Sequence, residues 1–575
     1  MVSVPGIPIV LTAPLSEIID NAGFFIQMSL ASIPAKMEWI IDWKYPDWRR
    51  VAAEDDGSAR VAPAGLRVLE EVLGREFGCD KVVVCYPEQL PSFLGPQTRV
   101  VAISAHNPLG TTFAAGVYAS IFGSSREPAN SVYARKIFET VRNHPHRKNF
   151  KVVLGGPGSW QIGETDTQDR FGIDCVVDGR AEAAETIELF YRIMNGEEIP
   201  RQLAARHPND LARLVIPRRR TSFGVIEMTT GCGRRCSFCQ PDLNPRLSFP
   251  KDEIMKAVAG NVAAGNRQIS LATEDMFVWR TDEAGLPFFV PNRRELLDLF
   301  QSIAAFPGVE HVTLSHCTIA PALVDPNLIA ALSQFLLDRS PIRMKAISTH
   351  PEGRALSPLI GIETGSVRMA KKIMAGKALP FDIEHWPHIV LEGLEILNRN
   401  NWFPVATLIV GSPDETDADS METLDMLYEA ERRGLHCLWV PSIFTPFVRT
   451  RMEKTDGVRE TRQLTKLQWQ VIMKAWRMTS DIGLQSTFGK FSFGVGSLVL
   501  WATRLRRLNG PNFTWPLLQF SRLLPENLLH RTGRLYSGKP MPRITRDELI
   551  RTVRPGWQEK IAEAQSEGFG AAAAS

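Results

Sequence analysis

Cysteine is scarce in this chain, at 8 of 575 residues, which excludes a disulfide scaffold standing in for a core. The 44% apolar content is ample for burying conventional cores instead. An excess of charge of either sign is also missing. The 66 basic and 63 acidic residues are well mixed and leave a net +3, so no global field gathers polyanions, and no nucleic-acid partner is expected. No uncharged apolar run reaches about eighteen residues, so no membrane-spanning helix is expected. The opening "MVSVPGIPIVLTAP" lacks the basic segment, apolar centre and small-residue cleavage site of a secretory leader and reads as a strand entering a loop. The expectation is a cytoplasmic protein in which Cys79, Cys85, Cys175, Cys317 and Cys437 stay reduced. No repeat of about 20 to 50 residues and no low-complexity tract precedes the final "AAAAS", which is expected to be disordered.

At this length two large domains and an appendage are expected. In the first 200 or so residues, β-branched runs alternate with helical patterns. The runs are "IPIVLTAP", "KVVVCYP", "RVVAISAHNPLG", "KVVLGGPG" and "DCVVDGRAE"; "GLRVLEEVLGREFG" and "VYARKIFETVRNH" repeat apolar residues at helical spacing between them. This alternation predicts α/β structure, a doubly wound parallel sheet over residues 1–205 with ligands beyond the carboxyl ends of its strands. A Trp-rich insertion near residues 15–63, containing "MEWIIDWKYPDWRR", interrupts it; packing is favoured over a cavity cap. "RQLAARHPND" reads as a linker. Over residues 206–450, "GVIEMTT", "QISLATED", "HVTLSHC", "PLIGIETGS", "PVATLIVGSP" and "HCLWVPSIF" form a second series, six βα units suggesting a partial barrel with chemistry at the carboxyl-terminal rim. Residues 451–575 read as helical.

Three of the few cysteines crowd into "MTTGCGRRCSFCQPD" as C-x3-C-x2-C, a spacing that chance would give a chain this poor in cysteine about once in several hundred sequences. A closed zinc site needs four ligands, and no second knuckle lies nearby in the sequence. A cubane iron-sulfur cluster held by three thiolates keeps one iron open for an exogenous chelator. Arg234 and Arg235 read as a solvated turn, with tuning of a cluster or contact with a carboxylate as the alternative.

This spacing after the first strand of six βα units resembles the radical S-adenosylmethionine (SAM) enzymes, over roughly residues 221–452. The resemblance implies a 4Fe-4S cluster on Cys232, Cys236 and Cys239 whose open iron binds SAM and whose electron cleaves it to a 5'-deoxyadenosyl radical, and it implies a one-electron donor such as flavodoxin or ferredoxin. It places Phe238 near adenine. Ala272, Thr273 and Glu274 stand where the family has a Gly-Gly-Glu turn receiving the SAM ammonium, a departure at two positions. "GIETGSVRMAKKIMAGK" resembles a segment common in cobalamin-associated members, which assigns Glu363, Thr364 and Ser366 to SAM ribose or carboxylate; Ser366 also reads as a helix N-cap. "LIVGSPDET" matches the fifth-strand turn, with Val410 and Gly411 at adenine and Glu415 the weaker match.

The sheet domain before such a series resembles the cobalamin-binding domain of the same enzymes. "VLGGPG" and "VVDGRAE" are similar to its Gly-Gly and Gly-Glu turns, which assigns Gly155, Gly156, Gly158, Gly179 and Glu182 to cobalamin, although a tight turn alone also wants glycine. The family's D-x-H-x-x-G signature is missing. His106 in "SAHNPLG", with Asn107, Pro108, Leu109 and Gly110, resembles stretches lining the corrin, and cobalt ligation by His106 is not expected. The two modules together imply methylation of an unactivated carbon through methylcobalamin, remethylated by a second SAM. The alternatives are radical cyclisation or carbon-carbon coupling, as in tetrapyrrole or lipid biosynthesis, and a non-catalytic iron-sulfur sensor. The substrate expected is a small molecule, lipid or peptide, and no residue is assigned to the chemical step itself. "SLVLWATRLRRLNGP" sets Leu498, Trp501, Leu505 and Leu508 at helical spacing beside Arg504, Arg506 and Arg507. Packing is the favoured reading; peripheral contact with a membrane surface is the other. Cys317 and Cys437 read as apolar filler, and Cys79 with Cys85 offers too few ligands for a metal.

Overall fold

The computed structural model describes residues 5–21, 30, 33–111, 127–163, 165–241, 244–281, 289–458, 460–484 and 505–566. The chain divides into two compact units, Met1–Ile226 with Asp252–Ile269, and Glu227–Lys251 with Ser270–Ser575.

In the first unit, β1 (Ile9–Thr12), β2 (Val82–Val84), β3 (Val100–Ser104), β4 (Lys151–Gly155), β5 (Cys175–Gly179) and β6 (Gln202–Ala205) form one parallel sheet in the order β2-β1-β3-β4-β5-β6. Side chains alternate across it: Ile9, Leu11, Val100 and Ala102 enter one core, and Val10, Val101 and Ile103 the other. Helices cover both faces. Leu66 and Leu73 of Ala64–Phe77 and Leu189, Phe190 and Ile193 of Ala184–Met194 fill the first core, while Ile137, Phe138 and Val141 of Ala129–Arg142 fill the second. The strand order reverses between β1 and β3, the switch point beyond whose carboxyl ends such sheets bind ligands.

One expectation is corrected. "RQLAARHPND" is not all linker, since Gln202–Ala205 pairs with β5 from Val176↔Gln202 to Gly179↔Ala205. As an edge strand it is four residues long and half exposed, so it needs no β-branched run and left no such signal. In the insertion, Trp48 is buried and donates to Asp42 Oδ1 (2.8 Å), whereas Trp39 and Trp43 are 64% and 80% exposed.

The second series supplies β7 (Val225–Glu227), the antiparallel pair β8 (Thr229–Thr230) and β9 (Leu247–Ser248), then β10 (Gln268–Ala272), β11 (His311–Leu314), β12 (His316–Cys317), β13 (Leu359–Glu363), β14 (Val405–Val410) and β15 (Leu438–Ile443). The sheet orders are β11-β10-β7 and β12-β13-β14-β15. Ser315 joins them: its N–H donates to Leu271 O (3.1 Å) and its carbonyl accepts from Leu359 N (2.7 Å). The six expected strand segments therefore follow one another in chain order, with helices between them. Among the described residues beyond 450 the regular elements are helices, with Lys466–Gly483 the longest of them and its Thr479 donating to Trp439 O (2.9 Å). Leu498, Trp501, Arg504 and the alanine tail lie outside the described residues; Leu505 is buried. Among the described residues no helix is long and apolar enough to cross a membrane.

Candidate metal centre

Backbone geometry shapes the cysteine loop before any metal is considered. Gly231 has φ +61°, and a Cβ there would lie 2.5 Å from Asn244 O; Gly233 (φ +77°) and Arg235 (φ +62°) reverse the chain twice more. The loop is bolted to the segment after β13. Ser237 N donates to Ile373 O (2.8 Å), and the Arg234 guanidinium donates to the carbonyls of Gly376, Lys377 and Leu379 at 3.5, 3.4 and 3.2 Å. Gly376 must be glycine, since a Cβ would sit 2.1 Å from Arg234 O.

Arg234 corrects an expectation. It is not solvated but 1% exposed, paired with Asp275 Oδ2 (3.1 and 3.2 Å) and stacked 4.3 Å from the Phe289 ring. Asp275 in turn accepts from Thr318 Oγ1 (2.7 Å) and from the N–H groups of Thr318 and Phe277, both at 3.2 Å. Arg235 is exposed, as a turn residue would be.

Cys236 is buried, and Cys232 and Cys239 are half-buried. Burial pushes the Cys232 thiol up to about 12; the charge and backbone N–H of Arg234 oppose this, and Asp275 and Cys236 add to it. Such thiols ionise only against added positive charge, which iron supplies. Among the described residues no three His, Cys, Asp or Glu side chains are grouped to hold a single metal ion. A cubane spreads its thiolates over separate irons, so a loop of three spaced cysteines fits it.

Glu363 sits at φ +64°, 5% exposed. Its carboxylate accepts from Lys377 Nζ (2.8 Å) and Thr407 Oγ1 (3.0 Å). A Cβ on Gly361 would lie 2.2 Å from both Glu363 Oε1 and Lys377 Nζ, so glycine there makes room for the pair. Burial opposes the Lys377 charge, but Glu363, Cys236 and Cys239 outweigh it and hold its pKa above the ordinary lysine value. Its ammonium lies 5.7 Å from the centre of the Phe238 ring. Thr364 Oγ1 accepts from Ser366 N (3.0 Å), and Ser366 caps the following helix, as expected, and donates to Asp419 Oδ1 (2.7 Å). Val410 ends β14, and the Gly411 N–H is held by Glu415 Oε2 (2.6 Å).

At the end of β10, the Ala272 carbonyl accepts from Met228 N (2.7 Å) and that of Thr273 from Ser315 Oγ (3.0 Å). Glu274 is half-buried, and burial together with the Glu227 carboxylate pushes it up to about 7. His316, open to solvent yet walled by protein, lies within electrostatic reach of Lys377 and Asp275, and burial holds its pKa below the usual value. Glu227, Asp275, His316 and Lys377 were not singled out from sequence. Each stands inside or beside a quoted motif, but none carries a spacing signal of its own.

In the first unit the β1/β3 switch point brings Glu17 to the H-N-P loop. Its carboxylate accepts from His106 N (2.9 Å), from the Asn107 N–H and, at 3.5 Å, from Asn130 Nδ2; burial nevertheless pushes it up to about 8. The His106 side chain is exposed, Asn107 is buried, and Leu109 N donates to Gln161 Oε1 (2.9 Å). Pro108 packs against Gly158, and Gly110 turns at φ +76°. The glycines separate into two kinds. A Cβ on Gly156, Gly158 or Gly179 would meet Ser104 Oγ at 2.7 Å, His106 O at 2.2 Å or Ala205 O at 1.9 Å, whereas Gly155 has nothing within 4 Å. Glu182 is buried and paired with Arg180 (2.6 Å). Of the positions assigned to cobalamin, Gly155 faces open space and His106 is exposed, while Gly156, Gly158 and Gly179 each have a close neighbour that already requires glycine.

No family model matches the chain. It is 25% identical over 331 residues to a tRNA-2-methylthio-N(6)-dimethylallyladenosine synthase of Sorangium cellulosum, covering 54% of this chain and 61% of that protein. It is 32% identical over 202 residues to a ribosomal protein uS12 methylthiotransferase RimO of the same organism, covering 34% and 40%. The chain thus spans about half the length of the curated relatives it matches. Among solved structures it is similar to the radical S-adenosylmethionine methyltransferase TsrM from Kitasatospora setae with tryptophan and a SAM analogue bound (TM-score 0.48, 14% identity, 77% of this chain and 75% of that one). It is also similar to the cobalamin-dependent SAM radical enzyme OxsB with aqua-cobalamin and SAM bound (0.45, 12%, 73% and 52%).

Proposed function

We propose that this chain is a cobalamin-dependent radical SAM enzyme, and within that class a C-methyltransferase acting on an unactivated carbon. Residues 1–205 are the cobalamin-binding part, 206–450 the radical SAM part and 451–575 a helical region. The observation that carries the reading is the loop of Cys232, Cys236 and Cys239, three donors held by backbone bonds to a segment that buries a lysine beside them. When bound, the 4Fe-4S cluster would supply the electron that cleaves SAM, and cobalamin the methyl group passed to carbon.

The chain's own residues hold and orient. The three cysteines would ligate three irons, Glu274 would receive the SAM ammonium once ionised, and Phe238 would flank adenine. Glu363 is engaged by Lys377 and Thr407, so its part is to fix Lys377 and the β13 turn. Gly155 and the His106 loop would border the corrin. Some relatives are named for tRNA or ribosomal-protein substrates. The mixed charge of this chain leads instead to a small-molecule, lipid or peptide substrate and no nucleic acid, with flavodoxin or ferredoxin as electron donor.

The test is anaerobic purification with added cobalamin, spectroscopy of both chromophores, and assay of 5'-deoxyadenosine from SAM and dithionite. Cys236→Ala should lose iron and SAM cleavage together; retention of both sinks the reading. Product mass then separates the reactions: a gained methylene unit is methylation, loss of two hydrogens is ring closure or coupling, and a gained methylthio group is the activity in the relatives' names.

A further inference from the structure

We infer that Lys377, whose backbone is held by the cysteine loop and whose ammonium lies 5.7 Å from the ring of Phe238 within it, sets the reduction potential of the cluster by favouring the reduced state. The inference rests on the proposed cluster and goes beyond it by naming the charge that tunes it.

Four observations converge on this lysine. Lys377 is buried, and a charge buried without purpose is costly. Its position does not depend on its own side chain: the carbonyls of Gly376, Lys377 and Leu379 accept from Arg234, and Ile373 O accepts from Ser237 N, so the cysteine loop holds the lysine's backbone from both flanks. Gly361 is cleared of a side chain where the ammonium and Glu363 meet. Within electrostatic reach of the ammonium lie Glu363, the thiols of Cys236 and Cys239, and the His316 ring.

Arg234 is the other buried cation at the loop, paired with Asp275 as Lys377 is with Glu363; Lys377 differs in that its ammonium lies 5.7 Å from the ring of Phe238, a residue between Cys236 and Cys239 in the loop. A cluster on three thiolates gains one negative charge when it takes an electron from a donor such as dithionite. A buried ammonium within electrostatic reach of the ligands stabilises that added charge.

The test measures the potential itself. Wild type, Lys377→Met and Lys377→Arg are reconstituted anaerobically with iron and sulfide, assayed for iron per chain, and titrated with dithionite and mediator dyes while the reduced cluster is followed by electron paramagnetic resonance. Lys377→Met should keep its iron yet show a reduction equilibrium about tenfold less favourable, a midpoint lower by about 59 mV for a one-electron couple. Lys377→Arg should stay near wild type. A Met variant with full iron and an unshifted midpoint overturns the inference. If that variant loses its cluster, Glu363→Gln decides: removing the counter-charge should raise the midpoint, and an unchanged or lowered value refutes the role. Wild-type protein that takes up no iron would refute the cluster, a result distinct from every outcome above.

Discussion

The cysteine loop and the carboxyl edge of the first sheet carry quite different densities of commitment. Around the cysteines the backbone carbonyls of Ala272, Thr273, Ile373, Gly376, Lys377 and Leu379 all have donors, and both nearby cations have counter-ions. At the carboxyl ends of β3 and β4, Gly155 faces open space and His106 is exposed, while Glu17 holds the loop through backbone N–H groups. A small, highly charged cofactor demands a few ligands at set positions, so its site is dense and rigid. A large cofactor that spreads over a sheet edge needs room, and room is made by what is left out.

Substitutions whose meaning differs between the two places test that contrast. The largest effect is expected at Cys236→Ala, with near-complete loss of iron. Next is Asp275→Asn, which leaves the buried Arg234 charge uncompensated. Breaking a buried pair from one side costs about 3 to 5 kcal/mol, read as a lowered urea midpoint for the second unit. Smaller again is a pair of alanine substitutions. Gly376→Ala drives a methyl group into Arg234 O and should cost about 1 to 3 kcal/mol and weaken iron retention. Gly155→Ala should leave stability within about 0.5 kcal/mol of wild type while lowering cobalamin affinity, measured by equilibrium dialysis. If Gly155→Ala unfolds the protein, or binds cobalamin as wild type does, the end of β4 is not the open edge described here.

The same contrast governs what could be read without coordinates. C-x3-C-x2-C announced itself because scarce residues at short spacing make a strong local signal, and the six strand segments of the second series announced themselves as β-branched runs. Arg234 was misread because nothing in "GCGRRCSFC" distinguishes two adjacent arginines; only the fold brings Asp275 to one and solvent to the other. β6 was missed because an edge strand needs no apolar pattern. The glycines of "VLGGPG" could not be sorted from sequence, since whether Gly155 or Gly156 faces open space depends on where β3 ends. Lys377 lay in plain view at the end of a quoted motif, but its partners come from β13 and the cysteine loop, joined to it only by tertiary structure.

The smallest effect concerns Glu274 and follows from its neighbour Glu227. Two carboxylates at the ends of β7 and β10, partly withdrawn from water, push Glu274 up to about 7, so near neutrality the site itself holds a proton about half the time. A neutral carboxyl cannot pair with the SAM ammonium, whereas an ionised one can. Binding must therefore be weak below pH 7 and strengthen as the carboxyl ionises, by about tenfold between pH 6 and pH 8 for a single group of this kind. SAM's own amino group titrates at the upper end of that range, so the comparison that counts is wild type against Glu274→Gln. Equilibrium dialysis with radiolabelled SAM should give the variant weaker binding at pH 8 and little difference at pH 6. Parallel pH profiles for the two proteins would mean that the ammonium is received elsewhere and that the raised carboxyl belongs to the fold of the strand ends alone.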